Sequence, residues 1–398
     1  MKDTKKFLMA AVMATGLALS ACAPTAGSAA PAESGGTKAA EPVNVGIIYS
    51  KTGPLAAYGA TYYEGLQAGI DYATGGTGEI NGAKINLTYA DDGGDPDKAV
   101  TAAKDLIGKG YKIIGGTVVS GIALKLSEQA AQNKVLYISG PAATDAIQGI
   151  NKYTFRSGRQ SLQDVATAGT FIDTKGKKVV VFAQDNAFGQ GNVAAVKAVL
   201  GAKGATVEAV LVPDGQELTP FARQLIDAKP DMVFVAWAGA TSGTMWQTLS
   251  QQGAFDAAPI VTGLGDAATF SAYGEATAKI SFLNHYFPGA AGTEVEKKMI
   301  AAVEKAGGKA DLFTPDGFVA GQMIARAIKE GGSDADAMVK ALEGYSFDGP
   351  KGKETVRASD HALVQDMYQA KLVQTGGTWA PELIKVVPGG TVAPPEKK

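Results

Sequence analysis

From Pro42 onward, short β-branched runs alternate with amphipathic segments of helix length. Strands are predicted at Val43–Tyr49, 85–89, around 113–114 and at 135–139, with helices between them near 60–73, 96–107 and 121–132. The same rhythm then restarts. Strands at 179–182, 207–212, 232–237 and 259–262 are separated by helices near 189–200, 220–228 and 243–251. Strands that alternate with helices imply an α/β fold on mainly parallel sheets. Two similar Rossmann-like lobes in tandem are the simplest architecture, although the halves are too dissimilar in sequence to count as a repeat. Asp95-Pro96 and Thr219-Pro220 each set a capping residue before a proline, the chemistry of a helix start.

The first 41 residues break the pattern. Lys2, Lys5 and Lys6 precede an apolar run, 7–19, that is too short to span a bilayer, and the run ends in Leu19-Ser20-Ala21-Cys22. This resembles a bacterial lipoprotein signal, which implies cleavage after residue 21 and lipidation of Cys22; an ordinary secretory signal cut near Ala21 or Ala23 is the alternative. Acyl chains contribute about 0.8 kcal/mol per buried CH₂, so two or more on one cysteine anchor a protein firmly. Residues 22–41 then read as a flexible tether, small and polar with no aromatic residue. No later stretch approaches a membrane-spanning run of apolar residues. An extracytoplasmic, lipid-anchored protein is expected.

Composition narrows the function. The chain has 37 basic and 39 acidic residues, and removing residues 1–21 leaves 34 against 38, a net charge of -4. That balance argues against nucleic acid, whose phosphates require concentrated Lys and Arg. Cys22 is the only cysteine, and His285 and His361 are the only histidines, so neither a disulfide nor a thiolate metal site is available. Asp91, Asp92 and Asp95 interrupted by glycines make a poor cation loop. No metal or cofactor is expected.

In an open α/β sheet, ligands bind beyond the carboxyl ends of the strands, where helix N-termini offer free N–H groups. Three loops of the first half qualify: 51–59 (KTGPLAAYG), 117–121 (TVVSG) and 139–145 (SGPAATD). Ser120 and Thr144 begin helices there, placed equally well for binding a carboxylate or for plain N-capping.

These loops, together with VGIIYSKTGPLAAYG, ADDGGDPDKAV, AQDNAFGQG at 183–191 and RASDHALVQDMY at 357–368, resemble the type I periplasmic binding proteins of branched-chain amino acid and amide ABC transporters. The resemblance spans nearly all of the chain after the signal. It implies two lobes joined by three crossover strands, residues 42–160 with 290–356 and residues 161–289 with 357–398, which close on a small ligand and present it to a permease and its ATPase subunits. A monomer is the default.

Carried onto matching positions, the resemblance places first-lobe ligand contacts at Tyr58, Ser120, the backbone of Ala142 and Thr144. Second-lobe contacts fall on Asp185 and Phe188, with Trp237 and Asp266 facing the same cleft and Asp266 pairing with an α-ammonium. Phe188 stands where many relatives carry Tyr, which leaves the ligand open: a branched-chain or related amino acid or amide is favoured over an aromatic or aliphatic carboxylate or urea. Arg159 is a possible carboxylate clamp for such acids, a surface salt bridge being its commoner fate. His285 and His361 sit near crossovers, where structural hydrogen bonds are expected.

Enzymatic readings find little support. Gly263-Leu264-Gly265-Asp266-Ala267-Ala268 approaches a dinucleotide fingerprint but opens no first βαβ unit and lacks the ribose-binding acid. Neither G-x-x-x-x-G-K-[ST] nor G-x-S-x-G occurs. A ligand-sensing subunit and, more remotely, a secreted hydrolase are the rival classes.

Overall fold

The computed structural model describes residues 41–397, so the expected signal and Cys22 lie outside the described residues. The first sheet contains β1 (Val43–Tyr49), β2 (Glu79–Ile80), β3 (Ala83–Asp91), β4 (Ile113–Gly115), β5 (Leu136–Ser139) and β6 (Thr154–Arg156) in the order β2-β3-β1-β4-β5-β6. All its pairings are parallel except the β2–β3 hairpin. Helices α1 (Ala56–Thr74), α2 (Pro96–Gly108) and α3 (Ser120–Asn133) make the crossovers.

The chain then passes through α4 (Ser161–Ala168) into the second sheet: β7 (Lys178–Gln184), α5 (Ala187–Val199), β8 (Thr206–Val212), β9 (Met232–Ala236), β10 (Ile260–Gly263) and β11 (Ile280–Asn284). It returns after β11 to lay helices Glu294–Lys305, Thr314–Gly331 and Ala335–Leu342 on the first lobe. A small antiparallel sheet of β12 (Ser346–Gly349), β13 (Gly352–Val356) and β14 (Leu363–Val364) follows. A third passage leads to the hairpin β15 (Met367–Thr375) and β16 (Thr378–Val387), which extends the second sheet as β16-β15-β11-β10-β9-β7-β8.

Each sheet carries its own core. Val45, Ile47, Tyr62, Leu66 and Ile138 pack with Met323 and Ile324 of the returning helix. Val180, Phe182, Val235, Ile260 and Phe282 pack with Tyr368 of the hairpin on one face of the second sheet. The returning helix approaches α1 backbone to backbone. A Cβ at Gly65 would lie 1.9 Å from the Thr314 carbonyl oxygen, and one at Gly317 would lie 2.0 Å from that of Tyr62. Any larger residue would separate the helices and loosen the floor beneath the first-lobe loops.

One expected cap forms and one does not. The Asp95 carboxylate accepts from Asp97 N at 2.8 Å and Lys98 N at 3.2 Å, capping α2. Thr219, by contrast, is the first residue of helix Thr219–Asp227, and its hydroxyl donates to Glu217 at 2.6 Å instead of capping.

Candidate ligand-binding site

The carboxyl ends of both sheets face each other across a cavity of about 550 Å³. First-lobe walls come from Pro54, Leu55 and Tyr58, from Val118 to Gly121, and from Pro141 and Ala143. Second-lobe walls come from Gln184 to Phe188 without Asp185, from Phe234 to Ala238 and from Thr262 to Gly265. Arg159, Asp164, Asn284, His285, Leu312 and Phe313 line its hinge end.

Aspartates fix the first-lobe loops from behind. Asp92 accepts the Ser50 hydroxyl at 2.7 Å, Gly94 N at 2.8 Å and the Thr117 hydroxyl at 2.6 Å, tying the β1, β3 and β4 loops together. Asp91 accepts the backbone N–H groups of Lys51, Thr52 and Gly93 and pairs with Lys98 at 2.8 Å. Among the described residues, no group of three or more His, Cys, Asp and Glu is arranged to hold a metal.

The expected contacts divide into two groups. Tyr58, Ser120, Phe188, Trp237 and Arg159 lie on the wall. Ser120 forms the first turn of α3, whose leading N–H groups have no partner within the helix. Tyr58 is buried, its ring edge-on to Phe313 at 4.8 Å between centroids, and burial followed by the charge of Asp266 raises its phenol above the ordinary value. Trp237 stacks on Phe182 at 5.7 Å and donates its indole N–H to Thr241 at 2.9 Å.

Ala142, Thr144, Asp185 and Asp266 lie off the wall. The Ala142 N–H already donates to the Thr117 carbonyl at 3.2 Å. The Thr144 hydroxyl caps a short 3₁₀ turn by accepting from Ala146 N at 3.2 Å, and its carbonyl accepts from Arg156 at 2.5 Å. Asp185 is exposed and accepts from Gln190 at 2.8 Å. Its neighbours reach the cavity instead, because Asn186 turns inward to cap α5 at Phe188 N and Gly189 N. Asp266 sits just behind Gly265; burial and then Asp311 raise its carboxyl, and among the described residues its Oδ1 meets no donor.

Arg159 corrects the surface-bridge expectation, since it is buried in the wall. Its Nη1 donates to the Pro141 carbonyl at 2.9 Å, Nε stands 3.3 Å from Asp164 Oδ2, and the guanidinium lies over Phe313. His285 stacks on Phe313 at 5.0 Å, and burial holds its imidazole well below the usual range, hence neutral. His361 stacks on Phe155 at 3.8 Å with Nδ1 2.9 Å from the Thr154 carbonyl, away from the cavity.

The lobes touch at the cleft mouth. Gly239 N donates to the Tyr58 hydroxyl at 3.4 Å, Ala240 N to the Pro54 carbonyl at 3.0 Å, and Ala267 N to Asp311 at 3.0 Å. These bonds hold the cleft closed around its cavity.

Comparison with known proteins agrees with this architecture. A periplasmic binding protein family model matches residues 42–378. The Leu/Ile/Val-binding protein BraC3 of Rhizobium johnstonii is 29% identical over 312 residues, covering 76% of this chain and 83% of that protein. A crystallised ABC-type branched-chain amino acid transporter protein of Rhodopseudomonas palustris is 30% identical, with a TM-score of 0.74 over 89% of this chain and 100% of that one. A solute-binding protein of R. palustris in complex with 4-hydroxybenzoate shares the fold at 21% identity, with a TM-score of 0.79 over 87% of this chain and 97% of that one. The chain belongs to the periplasmic binding protein family, as an extracytoplasmic solute-binding protein of an ABC transporter.

Proposed function

We propose that the protein is a lipid-anchored receptor that closes on an α-amino acid and passes it, chemically unchanged, to a membrane permease. The observation that carries this reading is the chemistry of the cavity between the lobes. Ser120 and the N-terminus of α3 offer donors to a carboxylate from one lobe, while on the other Asp266 stands behind the Gly265 wall, from where opening of that loop brings its carboxylate to an ammonium. Leu55, Phe188, Trp237, Leu264 and Phe313 supply apolar area for a side chain. A zwitterion with an apolar or weakly polar side chain complements that arrangement, and the names of the Leu/Ile/Val-binding relatives support the class.

Closure stabilises the liganded state by the difference between the ligand's affinities for the closed and open forms. The closed form then presents a surface to the permease that only both lobes together make. Anchoring rests on Lys2, Lys5 and Lys6, the short apolar run and Cys22 after Ala21. Lipidation predicts that Cys22→Ser releases the protein from membranes, and a fully membrane-bound variant argues against the anchor.

A second reading, an aromatic acid held by Arg159, is favoured by the position of that guanidinium in the wall. Asp164, 3.3 Å away, already offsets its charge, which weakens the attraction for an added carboxylate. Calorimetric titration of the purified protein with α-amino acids and with benzoate and 4-hydroxybenzoate separates the two. Saturable binding of amino acids alone supports the zwitterion reading, whereas binding of the benzoates alone replaces it.

A further inference from the structure

The end of the chain ties the two lobes together beside the third passage. Beyond β16 it first stays on the second lobe, where Gly389 N donates to Asp366 Oδ1 at 2.8 Å and Val392 is buried against Val387, Met367 and Ala166. It then reaches the first lobe. The Pro394 carbonyl accepts from Arg357 Nη1, the Pro395 carbonyl from Gln148 Nε2 and the Asp145 carbonyl from Lys397 Nζ, each at 2.8 Å.

These partners move with the first sheet. Asp145 opens the 3₁₀ turn after β5, and Gln148 closes it. Gly149 N donates to the Asp360 carbonyl at 2.9 Å, which fixes the start of the third passage to that turn, and the Asp360 carboxylate takes the Lys397 N–H at 2.9 Å. A Cβ on Gly149 would stand 3.4 Å from that of Lys397, so turn and segment are in contact. The segment is therefore anchored on opposite lobes, at Val392 on one and at Lys397 on the other.

Little slack lies between the anchors. Pro394 and Pro395 each hold φ at about −65° and favour an extended run of about 3.1 Å per residue, close to the reach of any chain. A rotation that carries the lobes apart at this point must break the bonds at one end. Those bonds consequently stabilise the present arrangement of the lobes and not a wider one, which is the condition for shifting a population between the two. Asp145, Gln148, Arg357 and Asp360 all lie off the cavity wall, so the segment acts on the lobes without touching the site.

We propose that residues 389–397 are a strap across the hinge, which draws the ligand-free protein toward the arrangement seen here and sets how far the cleft opens.

Small-angle scattering of the ligand-free full-length protein, of its truncation after Ala393 and of Lys397→Met tests the strap. The truncation keeps Val392 and removes the first-lobe end; Lys397→Met removes one bond, that to the Asp145 carbonyl. Loss of residues 394–398 by itself lowers the radius of gyration, so a rise reports the lobes moving apart. The radius is expected to rise in the truncated protein and to rise less in Lys397→Met, while amide hydrogen exchange in β1 and β9 stays as slow as in the parent. A superimposable profile or a smaller radius in the truncated protein overturns the strap, and so does a rise accompanied by faster exchange in those strands, which reports a loosened lobe. Should the truncated protein not fold, Lys397→Met decides in the same way: a larger radius with unchanged exchange upholds the strap, and the parent's radius overturns it.

Discussion

Tyr58 and Gly239, 181 positions apart in the chain, meet across the cleft, where the Gly239 N–H donates to the Tyr58 hydroxyl at 3.4 Å. Gly239 has φ +84°, and a Cβ there would lie 2.6 Å from both the Pro54 carbonyl oxygen and a Leu55 methyl. In this arrangement of the lobes the position requires glycine, both for its left-handed backbone and for its close approach to Pro54 and Leu55.

Gly239→Ala is accordingly expected to weaken ligand binding by about tenfold or more through loss of the closed state. Tyr58→Phe removes only one long hydrogen bond and is expected to weaken it about two- to fivefold. Calorimetric affinities of the two variants check the ranking, and equal effects would contradict it.

Trp237 lies in the cavity wall, whereas Trp246 is buried among Phe255 and Tyr273 and Trp379 lies on the edge strand β16. Ligand binding is expected to change the intrinsic tryptophan emission, and Trp237→Phe is expected to abolish that change. A response retained in the variant would place the reporting group elsewhere.

Burial pushes the Asp164 carboxyl up to about 6, with Arg159 pulling the other way. An acid raised in the folded state gives stability that is present below its unfolded value, near 3.9, and is lost as pH rises through about 6. Asp164→Asn is therefore expected to gain on the parent protein as pH increases from 4 to 7, by about 1–3 kcal/mol. Urea midpoints of both proteins across that range measure the difference. A gap that stays constant with pH would contradict the assignment.

Much of the fold was legible because its strands are apolar on both faces. Val43–Tyr49 reads as a strand from composition alone, and β1 occupies those same residues. The β15–β16 hairpin went unread, although Gly376-Gly377 between two extended runs is a hairpin signal and both glycines take positive φ. The site was legible where a loop directly follows a strand, as at Tyr58 and Ser120. Phe313 and Asp164 escaped notice because only the passages between lobes bring them to the cavity, and no local spacing encodes that. At Ala142 the N–H is taken by the Thr117 carbonyl, whereas the Thr144 hydroxyl accepts from Ala146 N and keeps its own proton, so local spacing alone does not say which of the two the loop leaves for a ligand.

The C-terminal segment returns to the hinge. Arg357 donates to the Pro394 carbonyl at 2.8 Å, Gln148 to that of Pro395 at 2.8 Å, and Lys397 to the Asp145 carbonyl at 2.8 Å. Asp360 accepts from Lys397 N at 2.9 Å and from Arg357 at 2.7 Å; burial opposes its ionisation, but these bonds outweigh it and hold the carboxyl down to about 2. Truncation after Ala393 exposes these groups and is expected to cost about 1–3 kcal/mol of stability, measured by urea unfolding. An unchanged midpoint would show that the segment contributes nothing.

Solution scattering of the purified protein, titrated with a ligand whose binding calorimetry has established, tests the closing cleft most directly. The account predicts that the radius of gyration falls on binding, and that Gly239→Ala keeps the larger value at the same ligand concentration. Saturable binding with scattering profiles that superimpose before and after would contradict closure of one lobe on the other.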